Sequence, residues 1–392
     1  MKKRKVCVVT GSRADYGHLL SVLRALAEDQ AIELQVVATG AHLAREQGLT
    51  YRLIVQDGFQ IAAHVHILKF DDSKAGITKR IGLGCQAFAD VLGRLKPDMV
   101  VVLGDRYEIL AATLAAYVAN IVIVHLHGGE LSEGVLDEGF RHAITKMAHV
   151  HFAATEIYRR RIIQLGEQPR SVFNYGAPCL DVLRQTVLLS KQELSQRLNF
   201  DLSGRVGLMT YHSLTLEFAQ STEQLKNILA ALRSFDLKII FTKSNVDTSG
   251  RRLNGMLARF CALSPKRYRL VDNLGQQKYW SALSCFDLMI GNSSSGLVEA
   301  PSFRLPVVNI GDRQRGRIRA RNVIDASGDV EAIRRAVRKA LSPDFRCSLR
   351  GMRNPYERFR DGRAGRRVKE KIKNIKLDNA LLKKEFFDIK GN

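Results

Sequence analysis

The stretch LMIGNSSSGLVEAPSF, residues 288–303, decides how the rest of the chain is read. An apolar run makes a short strand, small polar residues make a turn, and the first turn of a helix follows. Asn292, Ser293, Ser294, Ser295 and Gly296 put hydroxyls and flexible backbone where a helix start exposes unpaired N–H groups. Such a start suits an anion, most often a phosphate. Glu299, in the first helical turns, is suited to accept hydrogen bonds from a sugar or ribose hydroxyl. Serine is also a good helix cap, so this stretch alone leaves a phosphate site and a capped turn both open.

Working outward, strands recur at residues 206–211 (ending at His212), 238–242, 267–271 and 307–310, with helical sequence between them. The first half has the same rhythm. Strands at residues 5–10, 33–38, 61–70, 99–103, 121–126 and 150–154 alternate with helices, one of them starting at His42. Alternation on this scale means two mostly parallel sheets, with ligands off the carboxyl ends of the strands. The rhythm lapses between 178 and 202. The expected division is therefore a first Rossmann-like domain over 1–185 and a second over 186–372. The second ends in a helix within 356–373, and a loose basic tail follows at 373–392. The GxGxxG fingerprint of a nicotinamide site is absent after residue 10.

The 392 residues carry a net charge of +22, which invites a nucleic-acid reading. The basic residues are spread over 2–5, 159–161, 313–321 and the region after Arg346, with no interleaved aromatics for base stacking. A solvated basic surface with a pull on anionic substrates is expected instead. The uncharged run 109–126 breaks at Asn120 into a helix and a buried strand, so no membrane span is expected. The N-terminus has too short an apolar run for a secretory signal. Six cysteines without CxxC spacing point to free thiols in a reducing cytoplasm.

Acidic residues stand at or soon after strand ends of the first half: Asp105, Glu130 and Asp137. Strand ends converge, and carboxylates crowded in a partly dry crevice raise one another's pKa, which suits proton transfer. The HxH pair His125/His127 recurs as 64/66 and 149/151, which weakens any metal reading, and no metal site is expected. His127, next to two glycines, is the member expected to reach the crevice. His212 ends a strand of the second half. Arg13 and Arg106 follow strand ends of the first half, and Arg313 opens the run GDRQRGRIRAR of the second. Guanidinium groups so placed suit a diphosphate.

Taken together, TGSRADYG, VVLGDRYEI, HLHGGE, DEGFRHAITKMAH, IGNSSSGLVEAPS and VNIGDRQRGRIRA resemble, in the right order, the hydrolysing UDP-N-acetylglucosamine 2-epimerases of sialic-acid biosynthesis. The resemblance covers residues 5 to about 370. It implies the GT-B fold, two Rossmann-like α/β domains with the active site in the cleft between them, and a cytoplasmic homo-oligomer. It implies a UDP-sugar as the partner, with no nucleic acid, membrane, metal or redox cofactor required. Asp105 and Asp137 match acids implicated in proton transfer. Arg13, Arg106, Ser293, Ser294 and Arg313 match contacts to the diphosphate, with Gly296 in the same loop. Glu299 matches the residue that holds the ribose, His212 a histidine near the diphosphate, and residues 274–279 the uracil contact. Several relatives carry a catalytic Glu where this chain has His127, so His127 and Glu130 both stand for that role.

The implied reaction is anti elimination of UDP to 2-acetamidoglucal, then hydration to N-acetylmannosamine. The C2 hydrogen is not activated by a carbonyl, so expulsion of UDP must take up the electrons, helped by arginines and a helix N-terminus. The alternative sugar is UDP-2,4-diacetamido-2,4,6-trideoxyglucose, on the route to legionaminic acid. A non-hydrolysing epimerase and a GT-B glycosyltransferase are further alternatives.

Overall fold

In a computed structural model, residues 3–71, 73–132, 136–212, 218–244 and 248–389 are described. The chain divides into two compact units. The first comprises Met1–Glu130, Leu136–Gln185 and Tyr356 onward, and the second comprises Leu131–Val135 and Thr186–Pro355.

The first unit opens with β1 (Arg4–Thr10), α1 (Arg13–Ala27), β2 (Ile32–Thr39), α2 (Tyr51–Gln56), β3 (Ile61–Val65) and α3 (Lys74–Leu95). It continues with β4 (Met99–Leu103), α4 (Tyr107–Val118), β5 (Val122–Leu126), α5 (Asp137–Met147) and β6 (Val150–Ala153). Then come α6 (Glu156–Gln164), β7 (Val172–Asn174) and α7 (Cys179–Gln185). The strands form one sheet in the order β3-β2-β1-β4-β5-β6-β7, with parallel pairing throughout. Every residue of β4 and of β5 is buried, because helices cover both faces. Each such Val or Leu contributes roughly 1.5–3 kcal/mol by leaving water.

The second unit contains α8 (Lys191–Leu198), β8 (Val206–Thr210), α9 (Phe218–Leu232), β9 (Lys238–Thr242), α10 (Thr248–Leu263) and β10 (Tyr268–Val271). After these come α11 (Gly275–Cys285), β11 (Leu288–Gly291), α12 (Ser295–Val298), β12 (Val307–Ile310), β13 (Val323–Ala326), α13 (Val330–Leu341) and α14 (Pro343–Ser348). The sheet order is β10-β9-β8-β11-β12-β13, again parallel. In both units the connection reverses direction beside the first strand, between β1 and β4 and between β8 and β11. Ligands of doubly wound sheets sit at such a switch point.

Four expectations change. The helix expected from His42 is two 3-10 turns, Gly40–Leu43 and Arg45–Gln47, followed by the short α2; Gly48 in the left-handed region (φ 79°) separates them. The helix after the GNSSSG turn is only four residues long, because Pro301 supplies no N–H and the chain tightens into a 3-10 turn at Ala300–Phe303. Two short strands, β7 and β13, were not expected.

The fourth change concerns the end of the chain. The expected final helix is α15 (Ala364–Asn374), and it belongs to the first unit rather than to the second. Both carboxylate oxygens of Asp181 accept backbone N–H groups at its start, from Ala364 (3.0 Å) and Gly365 (2.7 Å). A Cβ at Gly365 would lie 2.6–2.8 Å from Ser21 atoms, so glycine lets α15 press against α1. The segment beyond is docked, not loose. It includes a last turn, α16 (Asn379–Leu382); Lys384 reaches Glu167 at 2.8 Å, and the Phe387 N–H donates to the Gly166 carbonyl at 2.9 Å. Residues 390–392 of the expected tail lie outside the described residues.

All six cysteines are free thiols, and among the described residues no helix is long and apolar enough to cross a membrane.

Candidate active site

In the first unit the candidate acids gather around one buried guanidinium. Arg141, on α5, has a side chain only 1% exposed. It donates to Asp105 after β4, to Glu138 Oε2 (2.6 Å) and to the Glu130 carbonyl (2.9 Å). A buried cation needs such partners, and here they bring three chain segments together. His127 follows β5 in a left-handed conformation (φ 62°), unusual for a side chain with a Cβ. Its Nδ1 lies 2.8 Å from Glu130 Oε1, so the two candidates for one role form a hydrogen-bonded pair.

Asp137 begins α5. Burial, and then the charge of Asp105, push its carboxyl up to about 6, while Arg106 and Arg141 pull the other way. Arg106 leads into α4 and pairs through Nε with Glu108, which is fully buried. Asp15, on α1, is pushed up to about 7 by burial, partly offset by Arg106. Arg13 opens α1 with its side chain exposed. Asp15, Glu108 and Arg141 were assigned no role from the sequence. Their signal was present, since each stands in a quoted motif within a few residues of a candidate.

In the second unit the loop after β11 organises the other candidates. The Asn292 side chain imitates a strand pairing with His212: its Oδ1 accepts from the His212 N–H and its Nδ2 donates to the His212 carbonyl, both at 2.8 Å. Arg313 Nη1 donates to the Asn292 carbonyl at 3.0 Å, which places its guanidinium against the serine turn. Burial first, and Arg313 second, lower His212 to about 3, so its imidazole is neutral at physiological pH. A neutral ring can donate a hydrogen bond to a phosphate oxygen but adds no charge. Ser293 Oγ accepts from the Ser295 N–H at 3.3 Å, and Ser294 precedes α12 without a side-chain cap. A Cβ on Gly296 would meet Val307 at 2.8 Å, so its glycine serves the packing of α12 on β12. Glu299 accepts from Trp280 Nε1 at 2.6 Å, and burial raises its pKa.

The histidine pairs do not gather a metal cluster among the described residues. His125 Nε2 bonds to the Gly104 carbonyl, whereas His127 Nδ1 bonds to Glu130 Oε1.

Each unit thus places polar and charged side chains at the carboxyl ends of strands beside its switch point, and the architecture is that of a GT-B-like α/β protein. Among solved structures, the UDP-GlcNAc 2-epimerase from Neisseria meningitidis bound to UDP-GlcNAc matches with a TM-score of 0.80 at 19% identity, over 94% of this chain and 99% of that one. A family profile described as UDP-N-acetylglucosamine 2-epimerase matches residues 24–373, and the chain belongs to that family.

Curated relatives refine the placement. The GDP/UDP-N,N'-diacetylbacillosamine 2-epimerase (hydrolyzing) of Campylobacter jejuni is 40% identical over 99% of this chain and all of its own length. The UDP-N,N'-diacetylbacillosamine 2-epimerase (hydrolyzing) of Legionella pneumophila is 37% identical over 97% of this chain and 98% of its own. The polysialic acid biosynthesis protein P7 of Escherichia coli is 35% identical over 98% of each.

Proposed function

We propose that this chain is a hydrolysing UDP-sugar 2-epimerase whose substrate is UDP-N,N'-diacetylbacillosamine, ahead of UDP-N-acetylglucosamine. One observation carries the choice of sugar. Identity to the two diacetylbacillosamine enzymes is 40% and 37%, against 27% to the UDP-N-acetylglucosamine 2-epimerase of Neisseria meningitidis over a similar length. This order reverses the one expected from the motifs. The polysialic-acid relative, at 35%, keeps the second sugar in play.

The chemistry follows from the two sets of side chains. A first-unit carboxylate takes the C2 proton; Asp105, paired with the Arg141 guanidinium, is suited to this. The C2–H electron pair forms the C1=C2 bond, and the C1–O bond breaks with its pair leaving on UDP. In the second unit Arg313, the neutral His212 and the Ser293–Ser294 turn receive the diphosphate charge. Glu299 holds the ribose. Water then adds at C1, and a proton enters C2 on the opposite face, giving the manno sugar. Asp137, its carboxyl pushed up to about 6, holds a proton more readily than an ordinary aspartate and is suited to supply it. The His127–Glu130 pair is suited to activate the water.

The test is turnover of each UDP-sugar in deuterated water. Free UDP and a 2-epimerised sugar with deuterium at C2 are expected, faster from the diacetamido substrate. A retained C2 hydrogen would reject the mechanism. UDP-N-acetylmannosamine as final product would mean a non-hydrolysing enzyme, and UDP release only with an acceptor present would mean a glycosyltransferase.

A further inference from the structure

His125 is completely buried in β5 and touches no group assigned to the chemistry, yet it contacts all three segments that carry the first unit's acids. Its Nε2 lies 2.8 Å from the carbonyl oxygen of Gly104, the residue before Asp105. Its Nδ1 lies 3.2 Å from Thr145 Oγ1 on α5, the helix of Asp137 and Arg141. The third segment is the His127–Glu130 loop: a Cβ at Gly128 would sit 3.0 Å from both His125 Nδ1 and Thr145 Oγ1. Only a residue without a side chain lets that loop close over the pair.

We propose that His125 is the positioning residue of the first unit's acid cluster, setting Asp105 through the Gly104 carbonyl and α5 through Thr145. This rests on the epimerase reading above.

The hydrogen-bond assignment is over-determined. Burial lowers the ring to about 3, so it is neutral. A carbonyl can only accept, so the single ring proton is on Nε2 and donates to Gly104. Nδ1 is then an acceptor. The Thr145 hydroxyl also lies 2.9 Å from the Arg141 carbonyl, so its one proton is shared between these two acceptors. A neutral ring with one donor and one acceptor suits this place, where a second cation beside Arg141 would compete for the carboxylates.

Two amide variants separate the two contacts. His125→Gln can keep a donor near the Nε2 position, and His125→Asn an acceptor near the Nδ1 position. Each is expected to lower kcat about 10–100-fold, the scale of a small misplacement of reacting groups, with KM within about 3-fold. UDP affinity, set in the second unit, is expected to stay unchanged. Thr145→Val removes only the hydroxyl and guards against a misfolded His125 variant; a loss of about 3–10-fold in kcat is expected. The double variant His125→Gln/Thr145→Val should be no slower than His125→Gln alone, since both remove the same contact.

A role confined to stability would lower Tm and leave the kcat of the folded fraction intact, and that result overturns the inference. So do variants that all match wild-type kcat, or losses that multiply in the double variant. Wild-type protein that turns over neither UDP-sugar overturns the functional reading first and this inference with it. Wild-type turnover with unaffected variants overturns this inference alone.

Discussion

Asp105 and Asp137 are both first-unit aspartates, but their surroundings differ. Asp105 is held by the buried Arg141 guanidinium, while burial and the Asp105 charge raise Asp137 to about 6. Paired carboxyls in unlike surroundings are how one fold supplies a base and an acid together. Asp105→Asn is therefore expected to lower turnover by about 10²–10⁴-fold, with UDP affinity measured by calorimetry left intact. Near-normal rates would remove Asp105 from the mechanism. As a proton donor, Asp137 should give a rate that declines above about pH 6. The residual turnover of Asp137→Asn should be flat across that range. The same group has a stability signature. Its folded pKa lies above its unfolded value, so its contribution to stability falls as pH rises from about 4 through 6. Arg313→Ala, by contrast, should act on binding: loss of a charge-assisted hydrogen bond worth about 1.5–3 kcal/mol corresponds to roughly 10–150-fold weaker UDP binding. Unchanged affinity would refute that role.

Among the elements, α15 shows where two opposing effects can be weighed. In an exposed helix, replacing glycine by alanine gains up to ~1 kcal/mol of helix propensity. At Gly365 the new methyl would lie 2.7 Å from the Ser21 backbone carbon and 2.8 Å from its oxygen, neither of which can swing aside. Overpacking costs about 1–3 kcal/mol, so the clash wins and Gly365→Ala should lower Tm. A raised Tm would mean that α15 slides on α1 without cost. The short α12 teaches a related lesson. Four residues ending in a proline-opened 3-10 turn make a weak helix dipole, so an anion bound at this turn would owe more to the Arg313 guanidinium and the neighbouring hydroxyls than to the helix.

Across the whole molecule, the chain returns at its end to the unit in which it began. Lys384 is inserted beside Glu167, which also meets His151 and Lys146. Burial alone would raise the Glu167 carboxyl, but its bonds to His151, Lys146 and Lys384 outweigh this and depress it to about 2. The grip is thus complete above the unfolded pKa near 4.5 and is lost as pH falls towards 2. Limited proteolysis should therefore release the segment after α15 in that acid window and leave it protected at neutral pH. Lys384→Met should expose it at neutral pH as well. Equal protection of both proteins would show that the Phe387–Gly166 backbone bond and the Phe386 ring, which lies against Gly166, suffice.

The sequence by itself determined the central strands of both sheets, though not the short edge strands β7 and β13. Runs such as VCVVT, MVVVL and LMI lack polar alternation because both faces of a parallel sheet are covered, and that requirement is written residue by residue in the strand itself. It also determined which residues stand at strand ends, so Asp105, His127, His212, Ser293 and Arg313 were legible as site candidates before any coordinates. Only the tertiary structure decided how those candidates pair: Arg141 with Asp105, 36 residues away, Arg313 with the Asn292 carbonyl, and His127 with Glu130. It alone assigned α15 to the first unit, through an aspartate 184 residues before Gly365. Local burial and turn chemistry are encoded along the chain, whereas contacts between distant segments depend on strand order and on space that a small residue leaves open, and neither has a local signature.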